Sequence, residues 1–532
     1  MRCDVLIRNG MVYDGVSPAG RLADIAVADG KIVSIEPAQP QDKHAAPAPR
    51  DTTALRGRTI DATGLAIMPG FIDIHSHSDL AWFVWPNATS KLLAGVTTDV
   101  SGNCGLSGFP LAGETLARRR AEYGRYGLDI NWATAAEYFA RLEGSPCGVN
   151  RAVLVGHGNL RGVTIGYGNV PAAPDARAKM KTLLAEGMEA GAFGLSSGLI
   201  YAPGLWATAD ELADLVAVVR ERGGFYASHI RDEHEHLLEA IEEFLGVLER
   251  TGCRGVVSHI KGADKWATVR ARLDAARSAG VNVWADRYPY TASCTSLTAL
   301  VLPGWAIEGK TQHVLARIAN PRDRKRIIDE ISARGEAFFE NVKVINFSQP
   351  GLTELCGQSL AEVGRLLGKR PIEAALDLLV EDRLEPEAVH FCMSESEVAE
   401  IYRWPFVMVG SDYSARDALA PGEMCHPRAF GTPAAFLGRF VRELNVCDWP
   451  AAASKLATLA ADMLGLADRG RIAPGCWADL VLLDPQAVAD RATYRQPRQS
   501  PAGIECVLVN GQVAVESGRF TGAMAGKVLR KG

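Results

Sequence analysis

Eight short apolar runs punctuate the 532-residue chain: Ile67–His77, Val96–Ser101, Ala152–Gly156, Phe193–Ser197, Phe225–His229, Gly255–His259, Val281–Asp286 and Phe406–Ser411. Amphipathic helical stretches lie between several of them, at Arg177–Ala190, Ala209–Arg222, His234–Thr251 and Trp266–Ala279. Repeated strand–helix units imply a parallel sheet, and eight of them predict a (β/α)8 barrel of the TIM-like kind, an α/β fold. In such barrels the functional groups collect at the C-terminal ends of the strands.

The two ends of the chain have a different texture. Val5–Ile7, Met11–Tyr13, Ile25–Val27 and Ile32–Ile35 read as short strands, with turn signals at Asn9-Gly10 and Asp29-Gly30. Pro37 to Arg50 reads as a loop. Leu480–Leu483, Glu505–Val509 and Val513–Val515 repeat the strand texture, with Asn510-Gly511 between the last two. Neither end can easily bury a sheet face alone, so residues 1–65 and 468–532 are expected to form one small β-sandwich domain. The barrel is expected over 66–467. Residues 287–404, too long for a simple loop and carrying helices such as Arg322–Arg334 and Pro371–Val380, read as an inserted α/β subdomain over the barrel mouth.

Composition narrows the function classes. Hydrophobic residues make up 47% and charged residues 22%, as in ordinary globular proteins, and a net charge of −5 favours neither nucleic acid nor an anionic membrane surface. No apolar run approaches the length of about 18 residues that would suggest a membrane helix. The 11 dispersed cysteines, with no Cys-x-x-Cys, fit a reducing cytoplasm. The expected partner is a small-molecule substrate.

Residues able to bind a metal stand at or just after the strand ends. The first run closes with His75 and His77. In a continuing strand these would project the same way and could clamp one transition-metal ion. The second leads into Gly102-Asn103-Cys104-Gly105, the fifth into Ser228-His229, the sixth into Ser258-His259-Ile260-Lys261 and the eighth into Gly410-Ser411-Asp412. Each has an ordinary structural explanation alone, but four histidines, a thiol and a carboxylate on one rim make a metal centre. His157 is a possible supporting or substrate-facing group. His234 and His236 read as solvent-facing, and His44, His313 and His390 carry no signal.

Longer motifs surround these residues. They include Pro69 to Asp79, Gly95-Val96-Thr97-Thr98, Gly198-Leu199-Ile200-Tyr201-Ala202-Pro203-Gly204, and the two Ser-His-Ile segments. Tyr288-Pro289-Tyr290-Thr291-Ala292, His426-Pro427-Arg428-Ala429-Phe430-Gly431-Thr432 and Arg469-Gly470 to Asp484-Pro485 complete the set. Over nearly its whole length the sequence resembles the N-acyl-D-amino-acid deacylase (D-aminoacylase) family of the amidohydrolase superfamily. The resemblance implies a tightly bound zinc on Cys104, His229 and His259. It implies a weaker second metal position on His75, His77, Cys104 and Asp412. Asp412 would act as general base and then acid, and Lys261, Tyr288 and Arg428 would bind the substrate α-carboxylate. Strand four has no lysine to bridge two metals, and the Cys104 thiolate is a sensible anionic replacement.

Two other readings stand beside deacylation: another amidohydrolase reaction, such as cyclic amide or imide opening, and a metal-free scaffold. The resemblance also implies that the segment from Tyr288 to Gly309 lines the side-chain pocket. It holds no Lys or Arg but offers Leu297, Leu300, Val301, Leu302 and Trp305. With Ile200 and Tyr201 it predicts a preference for hydrophobic D-amino acids.

Overall fold

The computed structural model describes residues 3–38, 57–420 and 422–532. Most of the expected loop from Pro37 to Arg50, and His44, fall outside them. Each of the eight apolar runs supplies a barrel strand: Phe71–Asp73, Val96–Ser101, Asn150–Val153 with Val155–Gly156, Gly194–Gly198, Phe225–His229, Arg254–Val257, Val283–Arg287 and Val407–Val409. Every ladder between them is parallel. The third strand joins the two arcs, because Asn150–Val153 pairs with the second strand and Val155–Gly156 with the fourth. The first and eighth strands meet beyond their ends, where the Asp412 N–H donates to the His75 carbonyl at 2.8 Å.

The period-two alternation of strand side chains separates two cores. Ile72, Ile74, Val100, Ala152, Leu154, Phe225, Ala227, Val256 and Met408 share one buried cluster. Their neighbours Val153, Val155, Tyr226, Val257 and Val407 join the larger cluster that also holds the helix residues. Helices Ala209–Glu221 and Trp266–Ser278 fall where the periodicity predicts, but the helix expected from His234 begins at Leu237. Residues 230–236 are therefore left as a rim loop.

Both chain ends build one nine-stranded sheet. The central seam pairs Ala66–Pro69 with Leu480–Leu483 antiparallel. The expected first run is thus two strands. Ala66–Pro69 belongs to the terminal sheet and Phe71–Asp73 to the barrel, with Gly70 between them; a Cβ there would meet Thr97 Oγ1 at 2.2 Å. Asp29-Gly30 and Asn510-Gly511 make the expected hairpin turns, with both residues of each pair at positive φ. Asn9-Gly10 does not: Val5–Val12 is one strand with a register shift there. Ile67, Leu480, Leu482 and Leu508 face the sheet's own core, while Met68, Val481, Leu483 and Val509 belong to the barrel's main cluster.

After the seventh strand, Ala292–Ser296, Val342–Ile345 and Glu387–Phe391 form a separate antiparallel sheet. Helices including Pro321–Ser332 and Pro371–Glu381 share a core cluster with it. No described helix is long and apolar enough to cross a membrane.

Because Leu480–Leu483 covers one edge of Ala66–Pro69 and contributes to the barrel core, the C-terminal strands are structural parts of the barrel. Ending the chain after residue 467 is expected to abolish cooperative thermal unfolding, followed by circular dichroism, and not to release an independently folded barrel.

Candidate active site

Alternation explains part of the site. Phe225 and Ala227 point into the barrel, so His229, two residues on, does the same. His75 and His77 lie beyond the strand end at Asp73, so strand alternation does not orient them as expected. They converge instead on one oxygen: His77 Nε2 is 2.9 Å and His75 Nε2 3.3 Å from Asp412 Oδ1. The other three positions depend on unusual backbone. Cys104, His259 and Asp412 have φ of 51°, 35° and 52°, in the left-handed region that side-chain-bearing residues avoid. Such conformations cost of order 1–3 kcal/mol each and persist where surrounding contacts over-determine them.

Those contacts are visible around Cys104. Asn103 Nδ2 donates to the Val100 carbonyl at 3.1 Å, and to those of Ile74 and Ser76 at 3.4 Å. Gly102, at φ 89°, passes so close to the third strand that a Cβ would lie 2.3 Å from the Leu154 oxygen. Ser196, in the lysine-free fourth strand, accepts from the Gly105 N–H at 3.0 Å and donates to the Gly102 carbonyl. Strand four thus supports the thiol loop.

The thiol is the centre of the cluster. Cys104 Sγ lies 3.3 Å from His75 Nε2 and 3.5 Å from His259 Nε2, and the His229 and His259 ring centroids are 4.4 Å apart. Two donor groups share it: Cys104, His229 and His259, and His75, His77, Cys104 and Asp412, each with ligand atoms within 4.8 Å of one another. Burial alone would raise the Cys104 pKa, but the adjacent His75 charge and imidazole hydrogen bonds hold it well below the usual thiol value. Burial likewise opposes the charge on Asp412, yet Arg428, His75 and His259 keep its carboxyl well below the ordinary range. Burial lowers the pKa of His229. Both ring nitrogens of His229 and Nδ1 of His259 are buried without an aligned hydrogen-bond partner among the described residues. Against the effect of burial, the neighbouring carboxylates push His75, His77 and His259 the other way, upward, so a metal bound by these nitrogens would displace protons. A thiolate, imidazole nitrogens and a carboxylate suit zinc, which takes sulfur, nitrogen and oxygen ligands.

Two acids not singled out from the sequence organise the cluster. Asp286, near the end of the seventh strand, receives His75 Nδ1 at 3.0 and 3.1 Å and the His259 N–H at 2.8 Å. Glu233, in the rim loop, ion-pairs with Lys261 and stands 2.8 Å from His259 Nδ1. Asp286 sits at a strand end two residues before Tyr288, and that position was its only sequence signal. Glu233 falls in Asp232-Glu233-His234, which reads as a solvated helix start.

The cleft above has a volume of about 770 Å³ and is lined by all the expected site residues except His75, including Ile200, Tyr201, Lys261, Tyr288 and Arg428. His75 is fully buried beneath it. Arg428 is buried, with Nη1 2.8 Å from Asp412 Oδ2, Nη2 donating to the Cys294 carbonyl at 3.0 Å and its guanidinium over the Tyr288 ring. His157 faces Glu211 at 2.8 Å, away from the cleft. His234 and His236 are both exposed as expected, His234 at the cleft wall, which His390 also lines. Leu297, Val301 and Leu302 are buried in the insertion's own core, and Trp305 packs on it, so only Leu300 of the expected apolar set faces the cleft. An apolar run does not encode which core it will fill.

A sequence profile described as the Amidohydrolase family matches residues 58–515. The chain belongs to this family. Among curated relatives of this amidohydrolase, N-acyl-D-glutamate deacylase of Alcaligenes xylosoxydans xylosoxydans is 38% identical, over 96% of this chain and 93% of that protein. D-aminoacylase of the same organism is 32% identical over 99% and 98%. A crystal structure of N-acyl-D-glutamate deacylase from Bordetella bronchiseptica contains zinc and a phosphonate inhibitor mimicking the reaction's tetrahedral intermediate. It matches all of both chains with a TM-score of 0.80 at 33% identity.

If Cys104 is the shared ligand, Cys104→Ala should lose bound zinc, measured by elemental analysis, while retaining its circular dichroism spectrum. A full zinc complement in the folded variant would remove the thiol from the centre.

Proposed function

We propose that the protein is a zinc-dependent deacylase that hydrolyses the amide of N-acyl-D-amino acids to a carboxylate and a free D-amino acid. The observation that carries this reading is the pairing of a thiolate-centred donor cluster with a buried guanidinium in one cleft. Cys104, His229 and His259 would hold the tightly bound zinc, three protein ligands leaving a position open as in catalytic zinc sites. His75, His77, Cys104 and Asp412 would form the weaker second position. Zinc, when bound, would polarise the amide carbonyl and acidify a water molecule. D-stereochemistry rests on the relatives.

The chain's own groups supply the rest. Asp412 is held ionised, so it can accept a proton from the attacking water and return it to the leaving amine nitrogen. Nε of Arg428 is buried without a hydrogen-bond partner among the described residues, while Nη1 faces Asp412, so the guanidinium has a donor left for a substrate α-carboxylate. Tyr288 lies beneath the guanidinium, and Lys261, tied to Glu233, would complete the anion site. An anion site beside the base favours a linear substrate with a free carboxylate over a cyclic amide or imide. The unpaired cysteines, Cys104 among them, suit a reducing cytoplasm.

A preference for hydrophobic side chains now rests on Ile200, Tyr201 and Leu300. Besides Lys261 and Arg428, five arginines share the cleft wall: Arg119, paired with Glu122, Arg231, paired with Glu243, Arg334, whose side chain donates to the Leu300 carbonyl at 3.1 Å, and Arg125 and Arg416. The expected kcat/KM for N-acetyl-D-leucine exceeds that for N-acetyl-D-glutamate by about tenfold or more. Arg428→Met should lower both by a similar factor, since both substrates carry the α-carboxylate. Faster wild-type turnover of the glutamate derivative would overturn the apolar preference, and a defect confined to one substrate would overturn the role of Arg428.

Asp412→Asn is expected to reduce kcat by about 10²-fold or more, with the tightly bound zinc retained. Near-normal kcat across pH 6 to about 9 would exclude Asp412 as the proton-transfer group.

A further inference from the structure

Beneath the cleft, and not lining it, lies a buried lysine. Lys91 is 2% exposed and follows the first barrel strand in the short helix Thr89–Leu92. A lysine ammonium has three donors, and this one uses each on a different buried oxygen. It donates to Asp73 Oδ2 at 2.6 Å, Ser411 Oγ at 2.9 Å and the Tyr413 carbonyl at 2.9 Å. Asp99 adds a second carboxylate at 3.6 Å. A buried charge is costly unless it is paired and fully hydrogen-bonded, and that condition is met here.

The acceptors flank two members of the proposed metal centre. Asp73 precedes His75 by two residues and receives the His75 N–H at 3.4 Å. It also receives the Ser411 N–H at 2.8 Å and the Ser411 hydroxyl at 2.5 Å. Ser411 and Tyr413 stand on either side of Asp412. The Tyr413 N–H returns to Ser411 Oγ at 3.2 Å, and the Asp412 N–H reaches the His75 carbonyl. The network therefore clamps the residues before and after Asp412 to the strand that carries His75. It spans the seam where first and eighth strands close the barrel.

We infer that Lys91, with Asp73 and Ser411, is a positioning network that holds the Asp412 carboxylate against His75 and His77, and that the chain requires it for the weaker metal position and for turnover. The ammonium does not touch the cleft, so it contributes neither substrate affinity nor a proton. It fixes a left-handed residue that would otherwise relax toward ordinary backbone and carry its carboxylate away from the imidazoles. Cys104, His229 and His259 belong to other strands and do not depend on it.

The activity arm of the test rests on the deacylase reading; the metal arm does not. Ser411→Ala removes the hydroxyl but keeps the Lys91–Asp73 ion pair, which protects folding, and Lys91→Met removes the hub. Metal-free wild type and variants would be titrated with Zn²⁺ by calorimetry, and kcat and KM measured with N-acetyl-D-leucine. Loss of a group that orients metal ligands typically costs about 10–100-fold. The expected result for Ser411→Ala is a second Zn²⁺ site weakened by about tenfold or more, an unchanged first site, a similar fall in kcat and a KM within about twofold. Two intact metal affinities with wild-type kcat would overturn the inference, as would equal weakening of both sites, which marks general destabilisation. Failure of wild type to hydrolyse both N-acetyl-D-leucine and N-acetyl-D-glutamate, with selective weakening of the second site still present, would reject the deacylase reading and leave the positioning role standing.

Discussion

The site depends on one buried anion. A thiolate away from water is stable only where positive or partially positive groups surround it. Cys104 has His75 and His259 within 3.5 Å. The same sulfur belongs to both donor groups, so the geometry of each follows from where it stands. Its position is imposed by backbone: a positive-φ residue in a glycine-flanked loop, pinned by Asn103 to the first strand and by Ser196 to the fourth.

Electrostatics then propagates outward through paired charges. Asp286 faces His75, Glu233 links His259 to Lys261, and Arg428 faces Asp412. Few of these groups stands alone, which is how so many ionisable side chains occupy one dry region. Arg428 is only partly satisfied: its Nη1 faces Asp412, but its Nε has no hydrogen-bond partner among the described residues. In the proposed reaction the substrate's carboxylate would meet this arginine beside the base that acts on its amide.

The barrel strands were legible because apolar runs and helical periodicity report burial directly. Ligands such as His229 were legible because they end those runs. Asp286 and Glu233 were not, since an acid at a strand end or loop reads the same whether it meets water or an imidazole. The split at Gly70 was hidden because two consecutive strands in different sheets share one unbroken apolar run. Leu297, Val301 and Leu302 misled for a related reason: hydrophobicity predicts burial, but not whether a residue is buried among core side chains or against a substrate. Asn9-Gly10 carries the letters of a hairpin turn, yet the strand continues through it.

The seam between Ala66–Pro69 and Leu480–Leu483 also sets the order of assembly. During synthesis the first of these strands emerges early, and its antiparallel partner follows about 410 residues later. Until then one edge of an apolar strand has no native neighbour. Contacts so distant in sequence make for slow folding and leave unpaired edges open to association. The metal centre itself draws on residues from His75 to Asp412, so its last ligand is made before the strand that completes the seam.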